Sequence, residues 1–212
     1  QKFVFRVSSD IQAPEYYLLD ITKPSLDFIG AQYPELADVE LAPMQTVNYT
    51  ARDGLEIEGF LTLPLGGEAK NLPMVIYPHG GPWSHDEWGF DNYVQFMANR
   101  GYGVFQPQFR GSTGYGLAHE EAGYGEWGMG IQDDITDGLK WLIEQGVADP
   151  ERVCIVGSSF GGYAAAMGVV KTPEMYQCAV TINGVLDLKR HHNSARRLLF
   201  GNLNKAMWNN WD

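Results

Sequence analysis

The sequence predicts an α/β protein with a doubly wound, mostly parallel sheet, and two observations support this class. From Thr46 onward, short apolar runs that suit buried strands alternate with stretches that suit helices. An antiparallel pair, 46–50 and 57–63, comes first and is predicted to lie at an edge of the sheet. With 212 residues, 44% of them apolar, the chain can bury one substantial core.

Residues 1–30 are predicted to form a smaller β-structure of their own. Its three strands are 3–7, 16–20 and 26–29. Because a hairpin alone is only marginally stable in water, this group is expected to need a partner surface. Residues 31–45 contain Pro34 and Pro43 and are interpreted as a linker. Since the first residues fall within a strand and lack an initiator Met, we expect the natural chain to begin earlier.

The remaining elements follow in chain order. Four further apolar runs predict strands at 73–78, 102–106, 153–156 and 178–183. Helices are predicted at 91–99, at 133–144 and in the small-residue run that follows residue 162. Around the second helix, one face is apolar and consists of Ile131, Ile135, Leu139 and Leu142. The opposite face is charged, and on it Asp133 is predicted to point to solvent.

The two cysteines, Cys154 and Cys178, each fall in a predicted buried strand. We therefore expect reduced, small apolar side chains rather than a disulfide or a metal site, and no cofactor is predicted. The net charge of −11 argues against a nucleic-acid partner, since phosphate binding needs basic patches. No apolar run approaches the length of a membrane span, and no signal peptide opens the chain. A cytoplasmic location is expected, with a secreted or periplasmic parent left open.

The strongest chemical signal is the G-x-S-x-G motif at 157–161. A short buried strand precedes it and a run of small residues typical of a helix follows, which is the context of a nucleophile elbow. In such a turn the central residue, Ser159, is strained and exposes its hydroxyl, and the N–H of Phe160 can face a developing oxyanion. We therefore predict that Ser159 is a nucleophile. The alternatives are Ser158 as the nucleophile, or a glycine-rich turn with an incidental serine.

A second motif, His79-Gly80-Gly81-Pro82, follows the predicted strand at 73–78. It lies at the carboxyl end of that strand, where open α/β sheets build their sites. Glycines let backbone N–H groups approach a reacting carbonyl, so Gly80 or Gly81 is predicted to be the second oxyanion donor. His79 is interpreted as a structural side chain beneath this loop, because hydrolases of this type place their histidine after the serine and the acid.

The glycine-rich segment 111–130 contains a formal G-x-G-x-x-G. No strand directly precedes this motif, and the next helix opens with two aspartates that would repel a phosphate. The segment is therefore interpreted as a wall on the substrate side of the sheet. Arg110, which precedes it, is predicted to pair with Asp134 and to brace the loop. The alternative is a solvated Arg110 that binds substrate carboxylates.

Together these motifs resemble the catalytic domain of the prolyl oligopeptidase family of serine peptidases, in its acylaminoacyl-peptidase-like branch. The resemblance covers about residues 47–188 and rests on His79 to Pro82, on Phe109 to Gly116 and on Gly157 to Tyr163, in that order. It implies an α/β-hydrolase fold, an acyl-forming Ser159 and oligopeptide substrates. It also implies that residues 1–30 end a β-propeller that filters substrates by size. His79, Arg110 and Tyr163 are assigned to substrate-side loops.

In that family the acid and the base of the triad follow later strands, which would lie beyond Asp212. Residues 46–212 are therefore interpreted as a truncated hydrolase domain that is inactive alone. The remaining candidate for a base and its acid within the chain is His191 or His192 with Asp187. Truncation is also expected to expose an apolar strand edge near 178–183, which invites self-association or a partner that supplies the missing strands.

Three functions stay open at this point. The first is a serine peptidase that acts through an acyl-enzyme. The second is a carboxylesterase-type hydrolase with the same triad, although the Arg110 loop and the propeller-like start favour the peptidase. The third is a binding or structural module that does no chemistry.

Overall fold

The computed structural model describes residues 1–195. Its strands are β1 (Lys2–Ser9), β2 (Gln12–Asp20), β3 (Ser25–Ala31), β4 (Met44–Thr50), β5 (Glu56–Thr62), β6 (Leu72–Ile76), β7 (Gly103–Pro107), β8 (Ala148–Ser158) and β9 (Cys178–Ile182). Its helices are α1 (Asn92–Ala98), α2 (Leu117–Glu121), α3 (Gly130–Glu144), α4 (Phe160–Lys171) and α5 (Leu188–Ala195). Within residues 1–195, no helix is both long and apolar enough to span a membrane.

The core is a six-stranded sheet in the order β4-β5-β7-β6-β8-β9. Strands β6, β7, β8 and β9 pair in parallel, whereas β4 and β5 are antiparallel and lie at one edge. Helices lie in each connection between the parallel strands, and the chain passes from β6 to β7 on one side of β6 and then to β8 on the other, which is the doubly wound topology that the sequence predicts. The two central strands, β6 and β7, are the most deeply buried, and Met74 and Ile76 on β6 are fully inaccessible. The predicted fold class is therefore confirmed.

The first three strands form a separate antiparallel sheet in the order β1-β2-β3. Side chains alternate between the two faces of a strand, and consecutive residues Phe3 and Val4 are 46% and 63% exposed. Both faces of this sheet therefore carry exposed apolar side chains. All three predicted strands are confirmed, and each extends further than its prediction.

Segment 31–45, interpreted as a linker, is packed against the rest of the chain. The side-chain amide of Gln95 on α1 accepts from the N–H of Ala42 at 2.9 Å and donates to its carbonyl at 2.7 Å. The Asp10 carboxylate, in the β1–β2 turn, accepts from the N–H of Met44 at 2.9 Å. These buried bonds connect the small sheet, this segment and α1.

Helix α3 buries the predicted apolar face, formed by Ile131, Ile135, Leu139 and Leu142. Its opposite face departs from the prediction at Asp133, which does not simply point to solvent. The Asp133 carboxylate pairs with Arg52 at 3.0 Å and with Lys171 at 2.8 Å. A helical wheel shows which side of a helix a residue occupies, but it cannot show which cations other elements bring to that side.

The prediction for the two cysteines is wrong. Cys154 and Cys178 are directly opposite in the parallel β8–β9 pair, with 4.6 Å between their Cα atoms, and they form a disulfide. Such side-by-side placement allows a disulfide, and it depends on strand register rather than on spacing along the chain. Strand β9 is also exposed rather than buried, since Val180 is 47% exposed. In the described part of the sheet β9 lies at one edge, so fewer elements cover it.

Candidate active site

Ser159 lies in the turn between β8 and α4, with φ 56° and ψ −117°. This left-handed region is costly for a residue other than glycine, so the surrounding backbone must enforce it. Two glycines make the turn possible: a Cβ on Gly157 would collide with the backbone of Gly161, and a Cβ on Gly161 with the carbonyl oxygen of Pro78. Ser159 is exposed, and its N–H donates to the Ile182 carbonyl at 3.0 Å. The predicted strained turn is confirmed.

The glycine loop at the end of β6 lies against this turn. A Cβ placed on Gly80 would be 3.6 Å from the Cβ of Ser159 and 3.5 Å from the Ser158 carbonyl oxygen. The next residue, Gly81, has φ 122°, a conformation that favours glycine. On the other side of Ser159, Phe160 opens α4, so its N–H has no partner within the helix. The structure thus places Gly80 against Ser159, and Gly81 and Phe160 are the next residues of the two segments that meet here, while the catalytic roles of all four stay predictions.

His79 supports the glycine loop from below. Its ring stacks on Phe109 at 4.2 Å and is 7% exposed. Nδ1 lies 2.7 Å from the carbonyl oxygen of Gly80, and Nε2 lies 2.8 Å from the hydroxyl of Ser112. Because a carbonyl only accepts, Nδ1 carries the proton of the neutral ring. The Ser112 hydroxyl lies within hydrogen-bond distance of both Nε2 and the Phe109 carbonyl, the latter at 2.6 Å, and its single proton can be donated to only one of them. Burial lowers the pKa of His79 to about 4, so the ring is neutral at pH 7. The interpretation of His79 as structural fits this geometry, and its assignment to a substrate-side loop stays a prediction.

Arg110 pairs with Asp134 as predicted. Its Nε and Nη2 donate to the two carboxylate oxygens at 2.8 and 2.7 Å, and Nη2 also contacts Asp53 at 2.8 Å. The Asp134 side chain is fully buried and that of Arg110 is 12% exposed. These contacts raise the pKa of Arg110 above its already high value. With its guanidinium engaged in this way, the alternative of a solvated Arg110 that binds substrate carboxylates is not supported.

The glycine-rich segment packs along α4. Its Trp127 meets Phe160 edge-on at 4.5 Å and Tyr163 at 5.3 Å between ring centroids. Tyr163 is therefore largely covered, with 8% of its surface exposed. At the other end of α4, Lys171 donates to the carbonyls of Gly128 and Met129, each at 3.1 Å. The glycine-rich segment therefore runs alongside α4, the helix that begins directly after Ser159.

Sequence reasoning missed Ser112 and Lys171, which hold the two loops. Ser112 belongs to the motif at 109–116, but nothing in its spacing indicates that it reaches His79. Lys171 is a single basic residue at the end of a helix, which usually means only a favourable interaction with the helix dipole. Both contacts depend on the path of a loop.

Other histidines have partners elsewhere. The ring of His119 is buried against the carbonyls of Gln108 and Phe109, and His85 Nδ1 lies 2.9 Å from the Thr113 hydroxyl. Asp187 caps α5, where its carboxylate accepts from the N–H of Arg190 at 2.8 Å.

His191 also lies in α5, whereas the side chain of His192 and residues 196–212 lie outside the description. The pairing of Asp187 with His191 or His192 therefore stays a prediction. Among residues 1–195, no group of three His, Cys, Asp or Glu side chains is placed to hold a metal ion.

Known proteins share this sequence and fold. The sequence profile described as "Prolyl oligopeptidase family" matches residues 88–212. Dipeptidyl aminopeptidase BIII of Pseudoxanthomonas mexicana is 38% identical over 180 residues, which is 82% of this chain and 26% of that protein. The acylamino-acid-releasing enzyme of Sus scrofa is 28% identical over 149 residues, or 70% of this chain and 20% of that protein.

Among solved structures, the crystal structure of a puromycin hydrolase matches with a TM-score of 0.78 and 30% identity, covering 96% of this chain and 32% of that one. The chain thus spans between 20% and 32% of the length of these three proteins. The matched profile covers more than half of the chain, and the motifs and the sheet topology agree with it. The chain belongs to the prolyl oligopeptidase family.

Proposed function

We propose that this chain is part of a serine peptidase that hydrolyses oligopeptides through an acyl-enzyme on Ser159. The observation that carries the proposal is the exposed Ser159 at φ 56°, placed against the glycine loop. A serine in such a turn is positioned to attack a carbonyl carbon. The peptidases among the relatives, an aminopeptidase and an acylamino-acid-releasing enzyme, support peptide substrates.

The orientation of one peptide favours Gly81 over Gly80 as the second oxyanion donor. The Gly80 carbonyl points at Nδ1 of His79. Because the C=O and N–H of a trans peptide point in opposite directions, the N–H of Gly81 is directed away from His79. The N–H of Phe160 is the other proposed donor. Two N–H groups of this kind would stabilise the negative charge that develops on the carbonyl oxygen during attack.

The reaction follows from these positions. The Ser159 hydroxyl oxygen bonds to the scissile carbonyl carbon while its proton passes to a general base, and the carbonyl oxygen becomes the oxyanion. The base then gives that proton to the departing amine. Water, activated by the same base, hydrolyses the acyl-serine. The family resemblance implies that the base and its acid lie in the part of the chain that follows the described sheet.

A covalent probe tests the nucleophile in the full-length protein. A fluorophosphonate that bonds to activated serines should label the wild type and should not label Ser159→Ala. Ser158→Ala is the matched control, because Ser158 is the exposed neighbour and should be dispensable for labelling. Labelling that survives Ser159→Ala would refute the nucleophile and would leave the binding or structural module. A panel of peptide and ester substrates then distinguishes a peptidase from a carboxylesterase.

Residues 1–212 alone are proposed to be inactive, since a serine without its base is a poor nucleophile at neutral pH. The test is turnover by the purified chain compared with its Ser159→Ala variant. Rapid turnover by the wild-type chain alone would show that a base lies within it, and His191 or His192 with Asp187 would become the candidate pair.

We further propose that the isolated chain self-associates through β9. Cys178, Ala179 and Val180 are exposed on this strand, which lies at one edge of the described sheet. A charge on such a strand opposes edge-to-edge pairing, so Val180→Lys should shift the sedimentation coefficient towards the monomer. Val170→Lys, at an exposed position on α4, is the control. Equal sedimentation of all three proteins as monomers would contradict the proposal.

The compartment is proposed as cytoplasmic, with an oxidising compartment as the alternative. The Cys154–Cys178 disulfide is the observation that favours the alternative, because structural disulfides are uncommon in reducing compartments. Fractionation of cells that express the full-length protein, with thiol labelling of both cysteines, decides between them.

A further inference from the structure

The loop between Gly81 and α1 carries Asp86, whose main chain is held by one buried side chain. The amide of Gln108, which is fully buried, accepts from the Asp86 N–H at 3.1 Å and donates to its carbonyl at 2.7 Å. Gln108 follows directly after β7. These two bonds fix Asp86 against the end of that strand.

The side chain of Asp86 lacks a hydrogen bond. Its Oδ2 is buried and has no hydrogen-bond partner, and the same is true of Oε1 of Gln106 on β7. The two side chains are neighbours, since the Gln106 amide lies close enough to the Asp86 carboxyl to lower its pKa, against the rise that burial causes. If Asp86 is ionised, both oxygens can only accept a hydrogen bond, so neither can donate one to the other. Buried acceptors without donors are rare in folded proteins.

The surroundings also disfavour a negative charge on Asp86. Burial raises the pKa of Asp86 to about 7, and the nearby Asp91 carboxylate adds to this. Burial raises the pKa values of two phenols, Tyr77 and Tyr115, and the nearby Asp86 adds a smaller part to both. The Tyr115 hydroxyl donates to Glu58 at 2.7 Å. All of these ionisable neighbours are acids.

The neighbouring residue in the chain, His85, is exposed, and its ring bonds to the Thr113 hydroxyl at 2.9 Å rather than to Asp86. The charged groups that act on Asp86 therefore repel an anion there.

We propose that Asp86 is a neutral carboxylic acid in the folded protein and shares its proton with Gln106. The O–H on Oδ2 donates to Oε1 of Gln106, while the amide nitrogen of Gln106 donates to the other carboxyl oxygen. This ring of two hydrogen bonds satisfies both unpartnered oxygens with a single proton. Through these two hydrogen bonds, the proton holds the loop after the glycine motif against β7.

We therefore expect the loop to be held against β7 less firmly as the pH rises. The pKa of Asp86 in the fold lies above the value of about 3.9 for an unfolded aspartate, so the folded state binds the proton more tightly. The stability that this proton contributes is complete below pH about 4 and is lost as the pH rises towards 7. Asparagine is nearly isosteric with the neutral acid and can donate to Gln106 at every pH.

Thermal unfolding of the full-length protein at several pH values tests the proposal. Asp86→Asn should melt near the wild type at pH 5 and above it at pH 8, so the difference in Tm grows with pH. Asp27→Asn, at an exposed carboxyl on β3, is the control and should change Tm equally at both values. A difference for Asp86→Asn that is constant with pH, or that favours the wild type more at pH 8, overturns the proposal.

Infrared spectroscopy at pH 6 observes the proton directly and does not depend on catalysis. The wild type should show a protonated carboxyl band that Asp86→Asn removes and that Gln106→Met shifts to higher frequency, because the acceptor is lost. The second variant identifies the band even if the first fails to fold. A spectrum in which neither substitution alters a protonated carboxyl band overturns the assignment.

Discussion

Two loops lie beside the start of α4, and different chemistry holds each of them. The glycine loop at 79–82 is supported by the neutral ring of His79, which bonds to the Gly80 carbonyl and to Ser112. The glycine-rich segment is tied at its start by Arg110, whose charge is matched by the buried carboxylate of Asp134. The first support is directional and uncharged, and the second is ionic.

The difference shows what each loop requires. A directional bond to one carbonyl fixes the orientation of one peptide, which is what an N–H donor aimed at an oxyanion needs. An ion pair with a buried carboxylate fixes the end of a loop, but loss of one partner leaves a charge without compensation. We therefore expect the ionic brace to determine stability and the histidine support to determine activity.

The largest expected effect comes from breaking the ionic brace. Arg110→Met leaves the Asp134 carboxylate buried and unpaired, which should lower the free energy of unfolding by about 3–5 kcal/mol. Urea titration measures this loss. Arg52→Met is the control, because the Arg52 side chain is 48% exposed and its ion pairs with Asp133 and Asp137 should together contribute only about 1 kcal/mol. Equal losses in the two variants would contradict a special role for the Arg110 pair.

Removal of the histidine support should chiefly affect catalysis. In His79→Ala the Gly80 carbonyl loses its donor, so the adjacent Gly81 N–H is no longer held in one direction. Losing one oxyanion donor typically lowers kcat by about 10²–10³, and a comparable loss is expected in the full-length protein. His85→Ala, at an exposed position in the same region, should retain activity. If His79→Ala retains the wild-type kcat, His79 does not position the proposed oxyanion donor.

The neutral state of His79 predicts a pH dependence of stability. Its pKa of about 4 in the fold lies below the value of about 6.5 for an unfolded histidine. The unfolded state therefore binds more protons between these values, and stability is complete above pH 6.5 and falls as the pH decreases towards 4.

Between pH 7 and pH 5 the free energy of unfolding should fall by about 2 kcal/mol on account of this group. His79→Asn, which cannot titrate, should lack that share of the loss. Asp86 acts in the opposite direction, so the comparison of variant with wild type, rather than the wild type alone, is informative. An identical pH dependence in both proteins would mean that His79 is not buried in its neutral form.

The sequence predicts the elbow well because its geometry is local. The spacing of Gly157 and Gly161 around Ser159 requires a tight turn, and the same residues form it in the structure. Periodicity likewise predicts the buried face of α3. The pairing of Arg110 with Asp134 follows from that face, because Asp134 lies beside its apolar residues.

What the sequence does not predict depends on how distant segments meet. The opposition of Cys154 and Cys178 arises from the register of β8 with β9, which the apolar pattern of neither strand contains. The unpartnered oxygens of Asp86 and Gln106 arise in the same way, from a loop that returns to β7. Lys171 reaches the glycine-rich segment because that segment runs along α4, and no motif encodes its path.

The smallest expected effect tests that path. Lys171 is 29% exposed and joins three groups of the described structure: the carbonyls of Gly128 and Met129 and the carboxylate of Asp133. Lys171→Met removes these bonds, but the groups lie near solvent and water can replace part of what is lost, so a loss of about 1 kcal/mol is expected. Lys171→Arg should recover most of it, since a guanidinium can also donate to both carbonyls. If Lys171→Met lowers the free energy of unfolding as much as Arg110→Met does, then Lys171 on α4 holds the glycine-rich segment as firmly as Arg110 does. The segment would then have two ionic supports rather than one.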